Sequence, residues 1–411
     1  MAVPRVHSDS ARTLRDRITD ASQSGARLRI AGGGTWLDAG HPVHHSTTLA
    51  TSDLSGVVEY VPGDLVITVG AGTTLADVAA ITAQHDQWLA LEPFVSREGL
   101  RRATVGATIA TASHGPLSGS FGRARDLVLG LSLVTGNGTM CSAGGRVVKN
   151  VAGFDLVRLM TGAFGTLGVL TEVSLRLHAK PAVDESFAVV LDIPPSGESR
   201  DRELALLVDQ LNSAPMLAVT STLASLVVVA HALPGVLHGE HGTPNTSFLL
   251  LVRATGNAAR VVAQRHALST LGALHAVSTD VWTTIRTMDA GDVVFRMSNA
   301  PRRSVNTLRA VEQWGEITGA RDMRTLLDPL RGALRVSCDA SPDVRTRTLP
   351  DRANAERMPS SWWLQAKRGN DDEISQRLRE RFDPAGILNA GIMGARAGVD
   401  TLSTEHKGPH E

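Results

Sequence analysis

The N-terminal part of the chain alternates apolar stretches with glycine turns. Apolar residues recur at helical spacing over residues 11–21, and Gly25 stands where a left-handed cap would end the helix. The apolar run 28–31 predicts a strand, which leads directly into the loop Gly32-Gly33-Gly34-Thr35. The pattern therefore predicts a surface helix followed by a strand and a tight glycine loop.

The next 150 residues continue as short strands and helices. Strands are predicted at 57–61 and 65–69, joined by the turn at Pro62-Gly63-Asp64. Thr74 and Asp77 form a capping box that begins a helix reaching about residue 85. An Asn-Gly signal at Asn137-Gly138 predicts a hairpin that begins at residue 126, and a helix is expected over residues 155–160. Alternation over residues 169–178 predicts a strand with one polar face.

A new run of elements begins after Lys180-Pro181, which we interpret as a domain boundary. Strands are predicted at 186–193, 225–232, 247–253, 293–297 and 333–338, with helices at 200–211, 258–271 and 305–314. The order indicates an α+β unit that repeats its own plan. The polar, proline-containing segment 342–359 is typical of a long mobile loop.

Composition narrows the class of protein. The 411 residues are enough for two domains, and 41 basic residues balance 41 acidic ones without a basic stripe, which disfavours a nucleic-acid partner. An apolar signal core and an apolar run of membrane-spanning length are both absent, so we expect a cytoplasmic protein without direct membrane insertion. Cys141 and Cys338 lack the spacing of an iron-sulfur or zinc site and are expected to be buried thiols.

Two glycine-rich segments carry the strongest chemical signal. A pyrophosphate needs several converging backbone N–H groups, and glycine lets the backbone approach it closely. The loop at residues 32–35 offers such a nest, and the small residues of segment 104–115 would let it lie flat against a ligand, with Thr104, Thr108, Thr111 and Ser113 as hydrogen-bonding groups. Neither segment has the Gly-x-Gly-x-x-Gly pattern of a Rossmann fold, so NAD is disfavoured. The alternative is that the glycines merely form turns.

Several ordered segments together resemble a known family. They are Gly32-Gly33-Gly34-Thr35, residues 104–115, the motif GRVVKNVAGFDL at 145–156 and the motif FGTLGVLTE at 164–172, followed by VVFRMS at 293–298 and FDPAGILN at 382–389. The set resembles the PCMH-type FAD-binding domain of the vanillyl-alcohol oxidase superfamily, in particular the FAD-binding subunits of bacterial glycolate oxidases. The resemblance is strong over residues 28–181 and weaker beyond.

The resemblance implies an α+β fold with two parts. Residues 1–181 would form the PCMH-type FAD-binding domain, built of two α/β subdomains, and residues 182–390 a ferredoxin-like α+β cap for the substrate. The last residues of the cap, about 382–390, would return to the flavin, and residues 391–411 would form a disordered tail.

The resemblance also implies which residues hold FAD. The glycine loop would bind the diphosphate, the next segment would line diphosphate and flavin, residues 165–169 would lie near the adenine, and Asn389 would approach the isoalloxazine. The predicted cofactor residues are Gly32, Gly33, Gly34, Thr35, Thr104, Gly106, Ala107, Thr108, Ala110, Thr111, Gly115, Gly165, Gly168, Val169 and Asn389. Relatives with covalent flavin carry a histidine in the first glycine loop, where this chain has Gly or Thr, so FAD is expected to be non-covalent. Ala390 stands where a proline is common in the family.

Two residues are candidates for catalysis. His114 would lie near the flavin and take a hydroxyl proton as hydride leaves the adjacent carbon, a role suited to its near-neutral pKa. Arg296 would hold a substrate carboxylate in a bidentate contact. The alternatives are that His114 only packs beside the cofactor and that Arg296 pairs with a nearby acid.

A third candidate is a metal site in the second half of the chain. His231, His238, Glu240 and His241 could together bind zinc, but they lie in a hairpin insertion without the context of known ligands, so no metal is predicted. Trp362 and Trp363 are expected to be a packed or interfacial pair without a chemical role.

The favoured function is FAD-dependent oxidation of a 2-hydroxy acid such as glycolate, with electrons leaving to a partner. The family resemblance implies a second flavoprotein subunit and an iron-sulfur subunit as partners, with peripheral membrane attachment through them. The alternatives are a non-catalytic FAD-carrying structural subunit and a free-standing FAD oxidase of another alcohol.

Overall fold

The computed structural model describes most of the chain. The described residues are 8–43, 46–96, 98–145, 155–191, 193–194, 196–213, 216, 223, 225–229, 248–289, 291–340, 348–363 and 372–394. The RVVKNVAGF part of the third family motif and the loop with His231, His238, Glu240 and His241 lie outside these residues.

Helices in the described residues are mostly short, apart from four longer ones that cover sheets. They are α1 (Ser8–Ser24), α2 (Leu75–Thr82), α3 (Val105–Ala110), α4 (Ser118–Phe121), α5 (Ala124–Leu127), α6 (Leu156–Met160), α7 (Gly197–Asn212), α8 (Ala258–Leu268), α9 (Val281–Arg286), α10 (Ser304–Thr318), α11 (Ser360–Trp363) and α12 (Glu373–Phe382). Among the described residues, none of these helices has the length and apolar character needed to cross a membrane.

In the described residues, strands outnumber helices and form four sheets. They are β1 (Arg27–Ala31), β2 (Ser46–Ala50), β3 (Val57–Val61), β4 (Val66–Gly70), β5 (Gln87–Trp88), β6 (Val128–Val134), β7 (Met140–Gly144), β8 (Val169–Arg176), β9 (His178–Ala179), β10 (Val183–Leu191), β11 (Ser225–Val229), β12 (Phe248–Gly256), β13 (Leu274–Val277), β14 (Val293–Ser298), β15 (Arg321–Asp328), β16 (Ala333–Asp339) and β17 (Asn354–Arg357).

A parallel pair of strands, β1 and β2, packs against helix α1. Leu14 and Ile18 are buried on the inner face of α1, and Gly25 ends the helix with a φ of +70°, as the sequence predicts. The C-terminal segment adds a bridge from Leu28 to Leu388, parallel to β1. Both ends of the chain therefore build the sheet from which the first glycine loop emerges.

A five-stranded antiparallel sheet packs next to this unit, in the order β3-β4-β8-β6-β7. Strand β4 is buried along its whole length, and its apolar residues share a core with helices α3 and α6. The predicted hairpin is present as β6 and β7, and Thr74 caps α2 by accepting a hydrogen bond from the Asp77 amide at 3.0 Å.

The second half of the chain forms one eight-stranded sheet, in the order β13-β10-β12-β11-β15-β16-β14-β17. Strands β10 to β13, with α7 and α8 between them, have the ferredoxin-like order 4-1-3-2. Strands β14 to β17 have the same 4-1-3-2 order when the sheet is followed from its other edge, starting at β17. The two four-stranded units join where β11 pairs with β15. The predicted ferredoxin-like plan and its repetition are confirmed.

The structure corrects three details of the sequence reading. Residues 354–357 form strand β17 at the sheet edge, although segment 342–359 was expected to be a mobile loop, because Ala355 packs against the large core of the sheet. Cys338 is buried, but Cys141 is only half-buried on edge strand β7. Residues 391–394, expected to belong to the tail, form turns in which Ile392 is buried, while residues 395–411 lie outside the described part.

The large sheet docks on the N-terminal half through ionic and aromatic contacts. Glu92 lies 3.4 Å from Nη1 of Arg253 and 3.6 Å from Nη1 of Arg286. The Arg253 guanidinium also stacks over Trp88, 5.4 Å from the ring centroid. The predicted boundary at residue 181 remains a prediction, but the chain changes sheet between β9 and β10.

Candidate functional site

The main cleft lies between the small sheet, the five-stranded sheet and the C-terminal segment, and it measures about 650 Å³ including its open mouth. Its described walls are mainly small and apolar. The lining residues are Arg29, Ile30, Ala31, Gly32, Gly34, Thr35, Trp36, Leu37, Thr51, Ala71, Gly106, Ala107, Ala110, Thr111, Phe164, Gly165, Gly168, Val169, Leu170, Asn389 and Ile392.

The first wall is the glycine loop after β1, which presses against the segment before α3. A Cβ atom on Gly33 would lie 1.6 Å from the carbonyl oxygen of Arg102, and one on Gly32 would lie 2.3 Å from Oγ1 of Thr104. Gly34 has a φ of +76°, which favours glycine. Side chains at these positions would push the two segments apart, so the glycines are required by the close approach of the loop to its neighbour.

The second wall is helix α3, which begins at its N-cap residue Thr104. The Thr104 hydroxyl accepts a hydrogen bond from the Ala107 amide at 3.3 Å, and the Thr108 hydroxyl donates to the Thr104 carbonyl at 2.9 Å. A Cβ atom on Gly106 would lie 2.8 Å from Cβ of Ala71. The helix therefore packs directly on the end of β4 and presents Ala107, Ala110 and Thr111 to the cleft.

The third wall is the C-terminal segment, held in place by Asn389. Its side-chain oxygen accepts a hydrogen bond from the Ile30 amide at 2.9 Å, and its Nδ2 donates to the Phe164 carbonyl at 2.7 Å. Buried Asp383 accepts hydrogen bonds from the amides of Ile387 at 3.1 Å and Leu388 at 2.9 Å. Asn389 thus ties β1 to the loop before β8.

Most of the predicted cofactor residues line this one cleft, although they come from four separate segments. Four predicted residues do not line it, namely Gly33, Thr104, Thr108 and Gly115. Gly33 packs against the backbone of Arg102. Thr104 and Thr108 are buried behind the wall of the cleft. A Cβ atom on Gly115 would lie 1.9 Å from the carbonyl oxygen of Glu92. The structure gives these four a role in packing the cleft walls, and their contact with a cofactor stays a prediction.

The two predicted catalytic residues lie together at the junction of the two halves. Nη1 of Arg296, on β14, lies 3.4 Å from Nε2 of His114, and Nδ1 of His114 lies 3.1 Å from the carbonyl oxygen of Ala112. Burial, followed by the positive charge of Arg296, lowers the pKa of His114 to about 4. The imidazole is therefore neutral at physiological pH.

Arg296 also belongs to a buried ionic cluster on the large sheet. Its Nε pairs with Glu356, whose other oxygen lies 2.8 Å from Nη2 of Arg335. Arg335 pairs in turn with Asp289 and stacks on Phe94, with 4.0 Å between the guanidinium carbon and the ring centroid. Burial alone would raise the pKa of Glu356, but Arg335 and Arg296 together lower it to about 2. Both readings of Arg296 remain open, because one edge of its guanidinium pairs with Glu356 and the other faces His114.

A smaller cleft of about 290 Å³ separates this ionic cluster from the glycine loop, and Thr35 and Trp36 line both clefts. Its opposite wall includes Glu356 and Arg357 of β17. Arg357 pairs with Asp38, and the Gly40 amide donates to the Glu356 carbonyl at 3.2 Å. The loop after Thr35 is therefore fastened to the large sheet.

The chemistry of the main cleft suits a flavin dinucleotide. The buried Thr35 hydroxyl has no hydrogen-bond partner among the described residues, and no described residue accepts a hydrogen bond from the amides of Gly33, Gly34 or Thr35. Such donors suit phosphate oxygens, and the apolar walls suit aromatic rings. Arg29 also lines the cleft, and sequence reasoning missed it because a strand arginine has no motif of its own.

No group of three or more His, Cys, Asp or Glu side chains suited to a metal ion occurs within the described ranges. The loop with His231, His238 and His241 lies outside them, so the prediction that this loop does not bind zinc stays a prediction. Trp362 and Trp363 are buried, and Trp363 contacts His41 with 4.6 Å between ring centroids. The tryptophans therefore pack at the junction of the two halves.

Comparison with known sequences supports a flavin site. Residues 5–144 match the family of FAD binding domains. The chain is 38% identical over 173 residues to the glycolate oxidase subunit GlcE of Escherichia coli, which is 42% of this chain and 48% of that protein. It is 32% identical to GlcD of Bacillus subtilis, over 43% of this chain and 37% of that one, and 32% identical to a D-lactate dehydrogenase of Archaeoglobus fulgidus, over 38% and 34%. The matches thus span half or less of these relatives.

Comparison of folds extends over nearly the whole chain. The structure matches p-cresol methylhydroxylase with a TM-score of 0.68 at 13% identity, covering 95% of this chain and 88% of that one. It matches alkyldihydroxyacetonephosphate synthase with a TM-score of 0.62 at 16% identity, covering 94% and 76%. At such identities the likeness concerns the fold alone, and it confirms the predicted PCMH-type architecture.

Proposed function

We propose that the protein is an FAD-dependent oxidoreductase that oxidises a 2-hydroxy acid to the 2-keto acid. The match of residues 5–144 to the family of FAD binding domains and the PCMH-type fold support this proposal. The observation that carries the proposal is the His114–Arg296 pair, which joins a neutral base to a cation across the two halves of the chain. The names of the relatives add glycolate and D-lactate as the first substrates to test.

His114 is suited to accept a proton through Nε2. If Nδ1 carries the hydrogen and donates it to the Ala112 carbonyl, the lone pair of Nε2 faces Arg296. A neutral imidazole with this tautomer can take the hydroxyl proton of an alcohol without first losing its own. The pKa of about 4 keeps His114 in this neutral form across the neutral range, and it also makes the imidazole a weaker base than the near-neutral pKa expected from the sequence.

Arg296 is suited to orient the acid. In our proposal the substrate carboxylate binds the guanidinium edge that faces His114, which places the neighbouring hydroxyl at Nε2. The hydroxyl proton passes to His114 while the C–O bond becomes a carbonyl. Bound FAD supplies the acceptor for the hydride that leaves the α-carbon.

The test is anaerobic addition of glycolate or D-lactate to the purified flavoprotein, followed by its visible absorption. We expect bleaching of the flavin peaks in the native chain and a rate at least about 100-fold lower in His114→Gln, the usual contribution of a general base. His266→Gln, on the exposed face of α8, is the matched control and should bleach at the native rate. Release of the flavin by acid precipitation would support non-covalent binding. Equal rates in the native chain and His114→Gln would contradict the role of His114.

The second candidate function is an FAD-carrying subunit that supports a catalytic partner. It is favoured by the Arg296–Glu356 pair, because a guanidinium already neutralised by a buried carboxylate attracts an anionic substrate less strongly. In that case the flavin peaks would not bleach with either acid in the isolated chain. Hydrogen peroxide formation with another alcohol would instead indicate a free-standing oxidase.

The proposed partners are a second flavoprotein subunit and an iron-sulfur subunit. Support comes from relatives that are named as glycolate oxidase subunits. The two cysteines of the chain are too few for a cluster of its own, so onward electron transfer requires an external acceptor. Co-purification of the full chain from its natural host would test this arrangement.

A further inference from the structure

Two arginines flank the first glycine loop from opposite sides. Arg29 projects from β1, and its Nη2 donates to the carbonyl oxygens of Trp36 at 3.3 Å and Leu37 at 3.1 Å. It is the one charged side chain among the described residues that line the main cleft. Burial lowers the pKa of Arg29, and the charge of Asp38 partly offsets this effect, so the guanidinium pays a desolvation cost without a carboxylate partner of its own.

Asp38 offsets only part of the effect of burial on Arg29, and its carboxylate pairs with Arg357 on the large sheet. The carbonyl contacts of Arg29 use one terminal nitrogen and hold the guanidinium in a fixed orientation. A guanidinium has five N–H donors in a planar fork. Several of its donors therefore remain available to an anion in the cleft.

Arg102 approaches the same loop from the segment before α3. Its carbonyl oxygen lies beneath Gly33, and its Nη2 would lie 3.1 Å from a Cβ atom placed on Gly34. Its backbone is fixed by a 3.0 Å hydrogen bond from its amide to the Gly99 carbonyl. Within the described part of the chain, its guanidinium has no ion pair, and it lies exposed at the rim of the cleft.

The loop between the two arginines is rich in hydrogen-bond donors. The amides of Gly33, Gly34 and Thr35 and the hydroxyl of Thr35 lack acceptors among the described residues. No acidic side chain lines the cleft within those residues. Converging donors with two nearby cations and no carboxylate are suited to a ligand group with two negative charges.

We propose that Arg29 and Arg102 bind the diphosphate of FAD and so make the cleft selective for a dinucleotide flavin over riboflavin, which has no phosphate. Arg29 supplies a charge from within the cleft, where water screens it little, and Arg102 supplies one at the rim. The inference rests on FAD binding in this cleft. It is independent of the proposed oxidation, since binding is measured without turnover.

The experiment compares the full chain, freed of flavin, with Arg29→Met, Arg102→Met and the control Arg101→Met. Arg101 is the exposed neighbour of Arg102, so it controls for the loss of one surface charge. The dissociation constants of FAD and riboflavin are measured by flavin fluorescence quenching at low and high salt. The thermal midpoint of each variant reports whether the fold is retained.

We expect Arg29→Met to weaken FAD binding by about tenfold or more, as for the loss of a charge-assisted hydrogen bond, and Arg102→Met by about threefold. Riboflavin binding should change by less than about twofold in each case, and the salt dependence of FAD binding should decrease. Arg29→Lys, which retains the charge, should recover part of the FAD affinity. Arg101→Met should bind both flavins like the native chain.

Two results would overturn the proposal. Equal losses of FAD and riboflavin affinity in Arg29→Met would mean that Arg29 only holds the loop at Trp36 and Leu37. Native FAD affinity and salt dependence in both variants would mean that neither arginine binds the diphosphate. Should Arg29→Met fail to fold, Arg29→Lys and Arg102→Met make the same comparison. Failure of the acid substrates to bleach the flavin would leave these binding results unaffected.

Discussion

The low pKa of His114 has a measurable consequence for stability. The imidazole titrates at about 4 in the folded chain, against an ordinary value of 6.5. Between these two pH values the imidazole is protonated in the unfolded state but not in the folded state, so the free energy of unfolding falls as the pH drops. We predict that His114→Gln removes this part of the acid sensitivity, because glutamine fills similar space and does not titrate.

The magnitude follows from the shift. The difference between the ordinary pKa of 6.5 and the pKa of about 4 in the folded chain corresponds to about 3 kcal/mol, lost progressively as the pH falls from above 6.5 to below 4. This is an upper estimate, because His114 is not fully buried and retains some contact with water.

The assay is urea unfolding of both chains at several pH values between 7.5 and 4, with the apparent free energy of unfolding taken from the same transition. Other titrating groups are common to both chains, so the difference between the two curves isolates His114. That difference should change by up to about 3 kcal/mol across the range. Parallel curves would refute the burial and the charge environment that we assign to His114, and His266→Gln should give a curve parallel to the native one.

Three further variants test the cleft walls and the ionic cluster. Asn389→Ala should lower the unfolding free energy by about 1–3 kcal/mol and weaken FAD binding, because it leaves the amide of Ile30 without its acceptor; urea unfolding and flavin fluorescence measure the two effects. Gly33→Ala should release most of the bound flavin, because its Cβ atom would meet a carbonyl oxygen at 1.6 Å; the absorption ratio of flavin to protein measures this. Glu356→Gln should destabilise the chain by about 3–5 kcal/mol, because it breaks a buried ion pair; urea unfolding measures the loss.

Two of these variants have a matched control. Gly63→Ala, in an open turn where a Cβ atom meets nothing within 4 Å, should leave the flavin content unchanged, whereas a similar loss would attribute the Gly33 effect to glycine replacement in general. Asn212→Ala, at the end of α7, removes a half-buried amide far from the cleft and should retain FAD affinity. An unchanged unfolding free energy in Glu356→Gln would contradict the buried pairing of that carboxylate with Arg335.

Local sequence signals predicted correctly the helix ends and turns that are determined by a few neighbouring residues. The glycine cap at Gly25, the Thr74 cap and the Asn-Gly hairpin are decided by neighbouring residues, and all three are present. Strand β17 was missed because its four residues gain their order from pairing with β14 and not from their own pattern. Edge strands of this kind carry little local information.

The candidate site was predictable as a set of segments but not as a geometry. The resemblance to a family predicted that the glycine loops, His114, Arg296 and Asn389 belong to one site. Local sequence patterns alone do not predict this. The sequence offered pairing of Arg296 with an acid as an alternative, but it could not identify Glu356 as that acid or place His114 beside Arg296, because the three groups come from two strands and a loop. Arg29 was missed for the same reason, since its significance depends on the carbonyls that fix it.

The hydrogen bond between Asn389 and Ile30 joins residues 359 positions apart. During synthesis, β1 and the glycine loop leave the ribosome long before the segment that closes the third wall of the cleft. Closing so long a loop has an entropic cost, which is offset only by the contacts that form after closure. Cofactor capture is therefore expected to be among the last steps of maturation, when nearly the whole chain is available to fold.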